Sequence, residues 1–181
     1  MATEAPVLLD NCAISACVRI GCWKALVGRY ALETVEEVAS EAATGAQNRE
    51  IIDPRTFAQQ VTVHAVSRQD RLSSQAAFAD LGGLDDGERD LWVHALGRGD
   101  GWILCGPDIA SIRFGVRAGH GDRLISLEEL LAKAGYTPKV RLDEHQTKGW
   151  LAQKISEFRM ELEFEKLSKK APDGAHPKGT V

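Results

Sequence analysis

The sequence lacks any hydrophobic run that approaches the roughly 20 apolar residues of a transmembrane helix. Residues 1–6 contain neither a basic segment nor the apolar core of a secretory signal. These two absences predict a protein without a membrane-embedded part, and we expect it in the cytoplasm.

Cysteine and histidine are few and lack the spacing of metal sites. The cysteines are Cys12, Cys17, Cys22 and Cys105. They contain no C-x-x-C pair, so a structural zinc site is not predicted and we expect free thiols in the core. The histidines show no ligand-like pairing either, and we expect them to be ordinary surface or core residues. They are His64, His94, His120, His145 and His176.

An excess of basic residues is also missing. The chain has 26 acidic and 22 basic side chains, and its formal net charge is −4. Bulk charge therefore does not predict sequence-independent binding to nucleic acid, and contact with a phosphate chain would need a local basic patch or bound cations. The 181 residues, 44% of them hydrophobic, suit one globular domain with an appendage.

Short apolar segments alternate with segments of helical periodicity along most of the chain. We expect strands at residues 7–9, 30–32, 60–66, 102–105 and 123–125. Strands that alternate with helices indicate βαβ units, so the predicted fold is α/β, with a mostly parallel central sheet in a three-layer α/β/α arrangement.

The alternation stops near Gly135, which predicts a first domain at residues 1–135. Residues 136–168 form a C-terminal helical extension, because their apolar positions recur at helical spacing. Residues 169–181, with two prolines and two glycines, are expected to be a disordered tail. The extension packs back on the domain or forms a contact with a partner, including a second copy in a homodimer.

Acidic residues recur where predicted strands give way to helices. Asp10 follows the first strand, and Asp108 follows the strand at 102–105. Glu41 lies in the helix after the second strand, for which Thr34 is the predicted N-cap, and Glu88 opens a later helix. Because parallel strands end side by side, these acids are expected to converge at one edge of the sheet. Each of them alone is also explained as a helix cap or as a complement to a helix dipole.

Converging carboxylates repel one another unless a cation lies between them. Hard divalent ions such as Mg²⁺ or Mn²⁺ prefer oxygen ligands and keep several waters. Such an ion acidifies a bound water for in-line attack on a phosphodiester. The acid pattern therefore favours metal-assisted hydrolysis that needs no Ser, Cys or His nucleophile.

The order and spacing of these motifs resemble the PIN domain, a metal-dependent ribonuclease fold. The resemblance covers roughly residues 7–131. The motifs that carry it are Val-Leu-Leu-Asp10, Thr34-x-x-x-Val38-x-x-Glu41, Leu84-Asp-Asp-Gly87-Glu88-Arg-Asp90, Ile103-Leu-Cys-Gly-Pro-Asp108 and a closing Arg123-Leu-Ile-Ser-Leu-Glu-Glu-Leu-Leu segment.

By resemblance, the metal-binding and catalytic acids are Asp10, Glu41, Glu88 and Asp108. Gly87-Glu88 matches the usual Gly-Glu entry of the family, so Glu88 is preferred to Asp90. The Val38-x-x-Glu41 spacing favours Glu41 over Glu37. Glu37 and Asp90 therefore remain the fallback acids.

The resemblance implies a Mg²⁺- or Mn²⁺-dependent endoribonuclease whose partner is RNA. Many members of such families are toxins of toxin–antitoxin pairs, so an antitoxin protein is a further expected partner. Asn11 stands where the family usually has Thr or Ser, and it could bind a phosphate or a metal-bound water. Apart from the resemblance, Arg113 and Arg117 could contact the RNA backbone beside Asp108, or they form an ordinary basic face of a helix. Pro107 departs from the acid or polar residue usual before the last acid.

Two other hypotheses stay open. The first is a degenerate PIN-like domain that has kept the fold but binds protein or RNA without cleaving it. The second is a phosphatase with Asp10 as nucleophile, which is disfavoured because that class usually has a second Asp where Cys12 stands.

Overall fold

A parallel four-stranded sheet forms the centre of the molecule. The computed structural model describes residues 5–44, 53–99 and 101–170. Within these ranges the strands are β1 (Val7–Leu9), β2 (Leu32–Val35), β3 (Thr62–His64) and β4 (Ile103–Cys105). They are arranged in the order β3-β2-β1-β4, and every neighbouring pair is parallel. The predicted α/β class with a parallel sheet is confirmed.

Nine α-helices connect and cover the strands in the described ranges. They are α1 (Asn11–Arg19), α2 (Trp23–Arg29), α3 (Glu36–Thr44), α4 (Pro54–Gln60), α5 (Arg68–Ala77), α6 (Asp86–Leu96), α7 (Ile109–Arg117), α8 (Leu127–Lys133) and α9 (Lys148–Lys170). The chain adds strands in one direction from β1 to β3 and then crosses to the opposite side of β1 for β4. Because such crossovers are right-handed, this reversal places helices on both faces of the sheet, as in a three-layer α/β/α fold.

Strand β1 is the most enclosed element, which explains its uninterrupted apolar sequence. Val7, Leu8 and Leu9 are fully buried between β2 and β4. The strand ends at Asp10, whose backbone N–H donates to the carbonyl oxygen of Cys105 at 3.2 Å. Because the strands are parallel, the segments that leave β1, β2 and β4 start at one edge of the sheet.

The second strand differs from its predicted position. It begins at Leu32 and includes Thr34, which was predicted to cap the following helix. Thr34 is fully buried, and its hydroxyl donates to the carbonyl oxygen of Leu9 at 2.7 Å. Thr34 therefore joins β2 to β1, and α3 begins directly after the strand.

The predicted strand at residues 123–125 is wrong. Residues Gly121–Arg123 form a 3-10 helix, and Leu124 makes a single parallel bridge to Leu104. The chain turns away at once because Ser126 caps α8 and accepts a hydrogen bond from the backbone of Glu129 at 3.2 Å. The strand predicted at 60–66 shortens to β3, since Gln60 still belongs to α4.

The C-terminal extension packs on the main domain through α9. Leu151 and Phe158 of this helix are buried, and Arg117 of α7 is bound to Glu165 by two hydrogen bonds of 2.8 Å. Helix α9 continues through Lys170, so residues 169 and 170, which were predicted to begin the tail, are helical. The rest of that tail, residues 171–181, lies outside the described residues.

No helix in the described ranges combines the length and apolarity needed to cross a membrane.

Candidate metal centre

A cleft of about 120 Å³ opens at the carboxyl edge of the sheet. Its walls come from the end of β1, the loop after β4 and the helices α1, α3 and α6. The lining residues are Asp10, Asn11, Cys12, Val38, Glu41, Asp85, Gly87, Glu88 and Asp108. The structure thus brings the four predicted acids together in one cleft. The described lining holds five carboxylates, and none of its residues is Lys or Arg.

Asp10 serves as a helix cap and also lines the cleft. It is 4% exposed, and its Oδ1 accepts a hydrogen bond of 2.7 Å from the backbone of Ala13 in α1. Its Oδ2 lies against Gly106, where a Cβ atom would stand only 3.0 Å away. The capping role therefore coexists with a position in the acidic cleft, because different oxygens face the helix and the loop after β4.

Glu41 is positioned by α1 and by a close approach of α6. The side-chain amide of buried Asn11 donates to Oε2 of Glu41 at 3.1 Å. A Cβ atom at Gly87 would stand 2.9 Å from Oε1 of Glu41 and 3.2 Å from a methyl group of Val38. Glycine at this position therefore lets α6 approach α3 without displacing the carboxylate. Glu37, one turn earlier, is exposed and does not line the cleft.

Burial and the other carboxylates of the cleft shift the pKa of Glu88. Burial, followed by the negative charges of Asp108, Asp85 and Asp10, raises the pKa of Glu88 to about 9. A hydrogen bond with the Asp108 side chain acts in the same direction. Asp108 also caps α7 by accepting a hydrogen bond of 2.7 Å from the backbone of Ala110.

Asp90, the fallback to Glu88, lies outside the cleft. It is 3% exposed and accepts two hydrogen bonds from Arg71, at 2.7 Å from Nε and 2.5 Å from Nη2. Two residues correspond to about 200° of helix rotation, so Glu88 and Asp90 face different sides of α6. Asp90 anchors Arg71 of α5 instead.

Arg113 and Arg117, predicted to contact RNA beside Asp108, lie outside the cleft. The Arg113 guanidinium lies 4.6 Å from the ring centre of Phe158 and 3.6 Å from a carboxylate oxygen of Glu161, both in α9. Arg117 binds Glu165 of α9 and Asp80. Neither arginine lines the cleft, because α9 packs on α7 and its acidic side chains bind both guanidinium groups.

Two features of the structure were missed in the sequence. Asp85 lines the cleft and caps α6, accepting a hydrogen bond of 2.8 Å from the backbone of Glu88. The Asp-x-x-Glu spacing, typical of a helix start, could have revealed Asp85 in the sequence.

Glu33, His64 and His94 form a second cluster, with one ligand atom of each within 4.8 Å of the others. His64 and His94 therefore lie in an arrangement of ligand-type side chains that their spacing in the sequence did not predict. Local spacing could not reveal it, because the three residues belong to different elements.

The donors of the cleft suit a hard cation. Carboxylate and amide oxygens are the ligands that Mg²⁺ and Mn²⁺ prefer, and a cleft of this size holds the volume of about four waters. Such an ion would offset the negative charges of Asp108, Asp85 and Asp10, which together with burial raise the pKa of Glu88.

Comparisons of the chain with protein-family models, with curated proteins and with solved structures find no match.

Proposed function

We propose that this chain is a metal-dependent endoribonuclease with a PIN-like fold, in which Asp10, Glu41, Glu88 and Asp108 hold Mg²⁺ or Mn²⁺. The observation that carries the proposal is the meeting of these four acids in one cleft at the carboxyl edge of a parallel sheet. That edge is where ligands bind in open α/β sheets.

Each residue has a specific task in this proposal. Asp10 and Asp108 are fixed by their caps, so their carboxylates are held in place before a ligand arrives. Asn11 orients Glu41 through its amide. Glu88, whose pKa is raised by burial and by its acidic neighbours, would serve as a carboxylate ligand if a cation were bound.

The bound ion would supply a water of lowered pKa and a positive charge for the phosphate. The cleft residues would orient the scissile phosphodiester and accept the proton of the attacking water. Because the described lining contains no Lys or Arg, the contact with the RNA backbone depends on the ion and on groups beyond the cleft rim.

Asp10→Asn tests the proposal. The full-length protein is incubated with single-stranded RNA and Mn²⁺, and we expect the variant to lose at least about 100-fold in cleavage rate, since it removes a direct ligand. The cap is kept because the Asn side-chain oxygen still accepts the Ala13 N–H. Circular dichroism and thermal melting are therefore expected to match those of the wild type.

Asp122→Asn is the matched control, since Asp122 is exposed in a 3-10 helix outside the cleft. It is expected to cleave like the wild type. Wild-type rates in D10N would contradict the proposed role of the cleft. RNA binding without cleavage by the wild type would instead favour the alternative, a degenerate PIN-like binding module. An antitoxin partner remains a prediction of the resemblance, and a homodimer remains a prediction from the C-terminal helix.

A further inference from the structure

A second group of ligand-type side chains lies outside the acidic cleft. Glu33 comes from β2, His64 ends β3 and His94 lies in α6. The Nε2 atoms of His64 and His94 lie 2.8 Å and 3.8 Å from the same oxygen, Oε2 of Glu33. The two imidazole rings stack with their centres 4.1 Å apart. We propose that Glu33, His64 and His94 form a binding site for a transition-metal ion such as Zn²⁺.

The geometry of the three side chains supports this proposal. Two imidazole nitrogens and one carboxylate are a ligand set of protein-bound Zn²⁺, which leaves a further coordination position for water. Zn–N and Zn–O distances of about 2.0–2.2 Å need donors roughly 3–4 Å apart. Of the two distances to Oε2 of Glu33, 3.8 Å lies within this range and 2.8 Å lies just below it.

The cluster is accessible from solvent. His94 and Arg98 line a surface groove of about 390 Å³ together with residues of α5 and the segment after β3. The side chain of His64 is 30% exposed. An ion can therefore reach the ligands without unfolding of the sheet.

Arg98 is the internal competitor of the ion. Its guanidinium forms an ion pair with Oε2 of Glu33 and lies 3.3 Å from Nε2 of His94. The Arg98 guanidinium therefore places a positive charge beside Oε2 of Glu33 and Nε2 of His94. A bound Zn²⁺ would take over this position, and Arg98 would turn toward the groove. Metal binding would thus connect β2, β3 and α6 through one ion.

Calorimetric titration of the metal-free, full-length protein with Zn²⁺ tests the proposal. We expect His64→Gln and His94→Gln to weaken binding at least about tenfold each. His145→Gln is the matched control, because His145 is exposed beside Trp150 in another part of the fold. Equal affinity of the wild type and H94Q for Zn²⁺ would overturn the proposal.

Arg98→Met gives a test in the opposite direction. Removal of the competing charge is expected to tighten Zn²⁺ binding about tenfold or more, whereas a purely structural Arg98 would leave the affinity unchanged. If R98M bound Zn²⁺ no more tightly than the wild type, or if only R98M bound it, the proposed site in the native protein would be wrong.

Two further measurements separate this site from other ligands of the chain. The Co²⁺-loaded protein is expected to show the visible absorption of a nitrogen and oxygen site without a thiolate charge-transfer band, and a thiolate band would assign the ion to cysteine. D10N is expected to keep this Zn²⁺ site while losing Mn²⁺-dependent cleavage. The outcome here is therefore independent of the nuclease proposal.

Discussion

Three aspartates of the acidic cleft each accept a backbone N–H at the start of a helix. Asp10 caps α1, Asp85 caps α6 and Asp108 caps α7. The positive ends of three helix dipoles therefore meet at the cleft and offset part of the repulsion among its carboxylates. Capping a helix and lining the cleft are thus compatible roles, because each capping carboxylate also lies in the cleft wall.

Gly87→Ala tests whether the position of Glu41 matters. The added methyl would stand 2.9 Å from Oε1 of Glu41, and the flexible end of that side chain is what yields. We expect Mn²⁺-dependent RNA cleavage to fall about 10- to 100-fold, as for a misplaced catalytic group. Stability should change by less than about 1 kcal/mol, since alanine favours the helix by a similar amount. Gly82→Ala, with open space around its Cβ, is the control, and full activity of G87A would argue against a role for Glu41.

At the scale of elements, α9 shows how one helix can have two different apolar regions. Leu151 and Phe158 are buried against the main domain. Met160, Phe164 and Leu167 are more than half exposed and lie three or four residues apart on the described part of the helix. Apolar periodicity predicted the helix, and the buried Leu151 and Phe158 both belong to its apolar positions.

Phe158→Ala measures how firmly α9 is attached. The ring is 4% exposed and packs under the Arg113 guanidinium, so its removal leaves a cavity and an unstacked charge. We expect a loss of about 3–4 kcal/mol in the free energy of unfolding, measured by urea denaturation. Phe164→Ala makes the same substitution on the same helix at a side chain 69% exposed, and it should cost less than about 0.5 kcal/mol. Similar losses for the two variants would mean that α9 does not pack on α7 as described here.

At the scale of the whole molecule, the sequence predicted those features that depend on local pattern. The apolar run of β1 and the helix start at Ser126 are both present in the fold. The strand expected at 123–125 is absent. The apolar residues there are buried by packing, and only one bridge, to Leu104, pairs this segment with the sheet.

The acidic cleft was predictable for the same reason, since parallel strands must end at a common edge. The arginine contacts were not predictable, because they depend on how α9 lies against α7. Arg113 and Arg117 are bound by acids 48 residues further along the chain, at Glu161 and Glu165. Glu33, His64 and His94 likewise meet only through tertiary contacts.

The acidic cleft should make the stability of the whole domain depend on pH when metal is absent. The pKa of Glu88 is raised to about 9 in the folded state, against roughly 4.3 in an unfolded chain. Between these values the folded state binds more protons than the unfolded state, so the free energy of unfolding falls as the pH rises. The contribution of a protonated Glu88 is complete below the unfolded pKa and is lost as the pH passes the folded one.

Glu88→Gln removes this dependence, because the amide never carries the charge. In the presence of a chelator at pH 8, we expect the variant to be more stable than the wild type by about 1–2 kcal/mol. This value is well below the free energy that corresponds to the full pKa shift, because solvent screens a partly exposed carboxylate. At pH 4 the two proteins should unfold alike. Glu37→Gln, an exposed glutamate of the same charge outside the cleft, should follow the wild type at both pH values. Urea denaturation at the two pH values measures the difference, and a lower stability of E88Q at pH 8 would contradict a Glu88 pKa raised by burial and by its acidic neighbours.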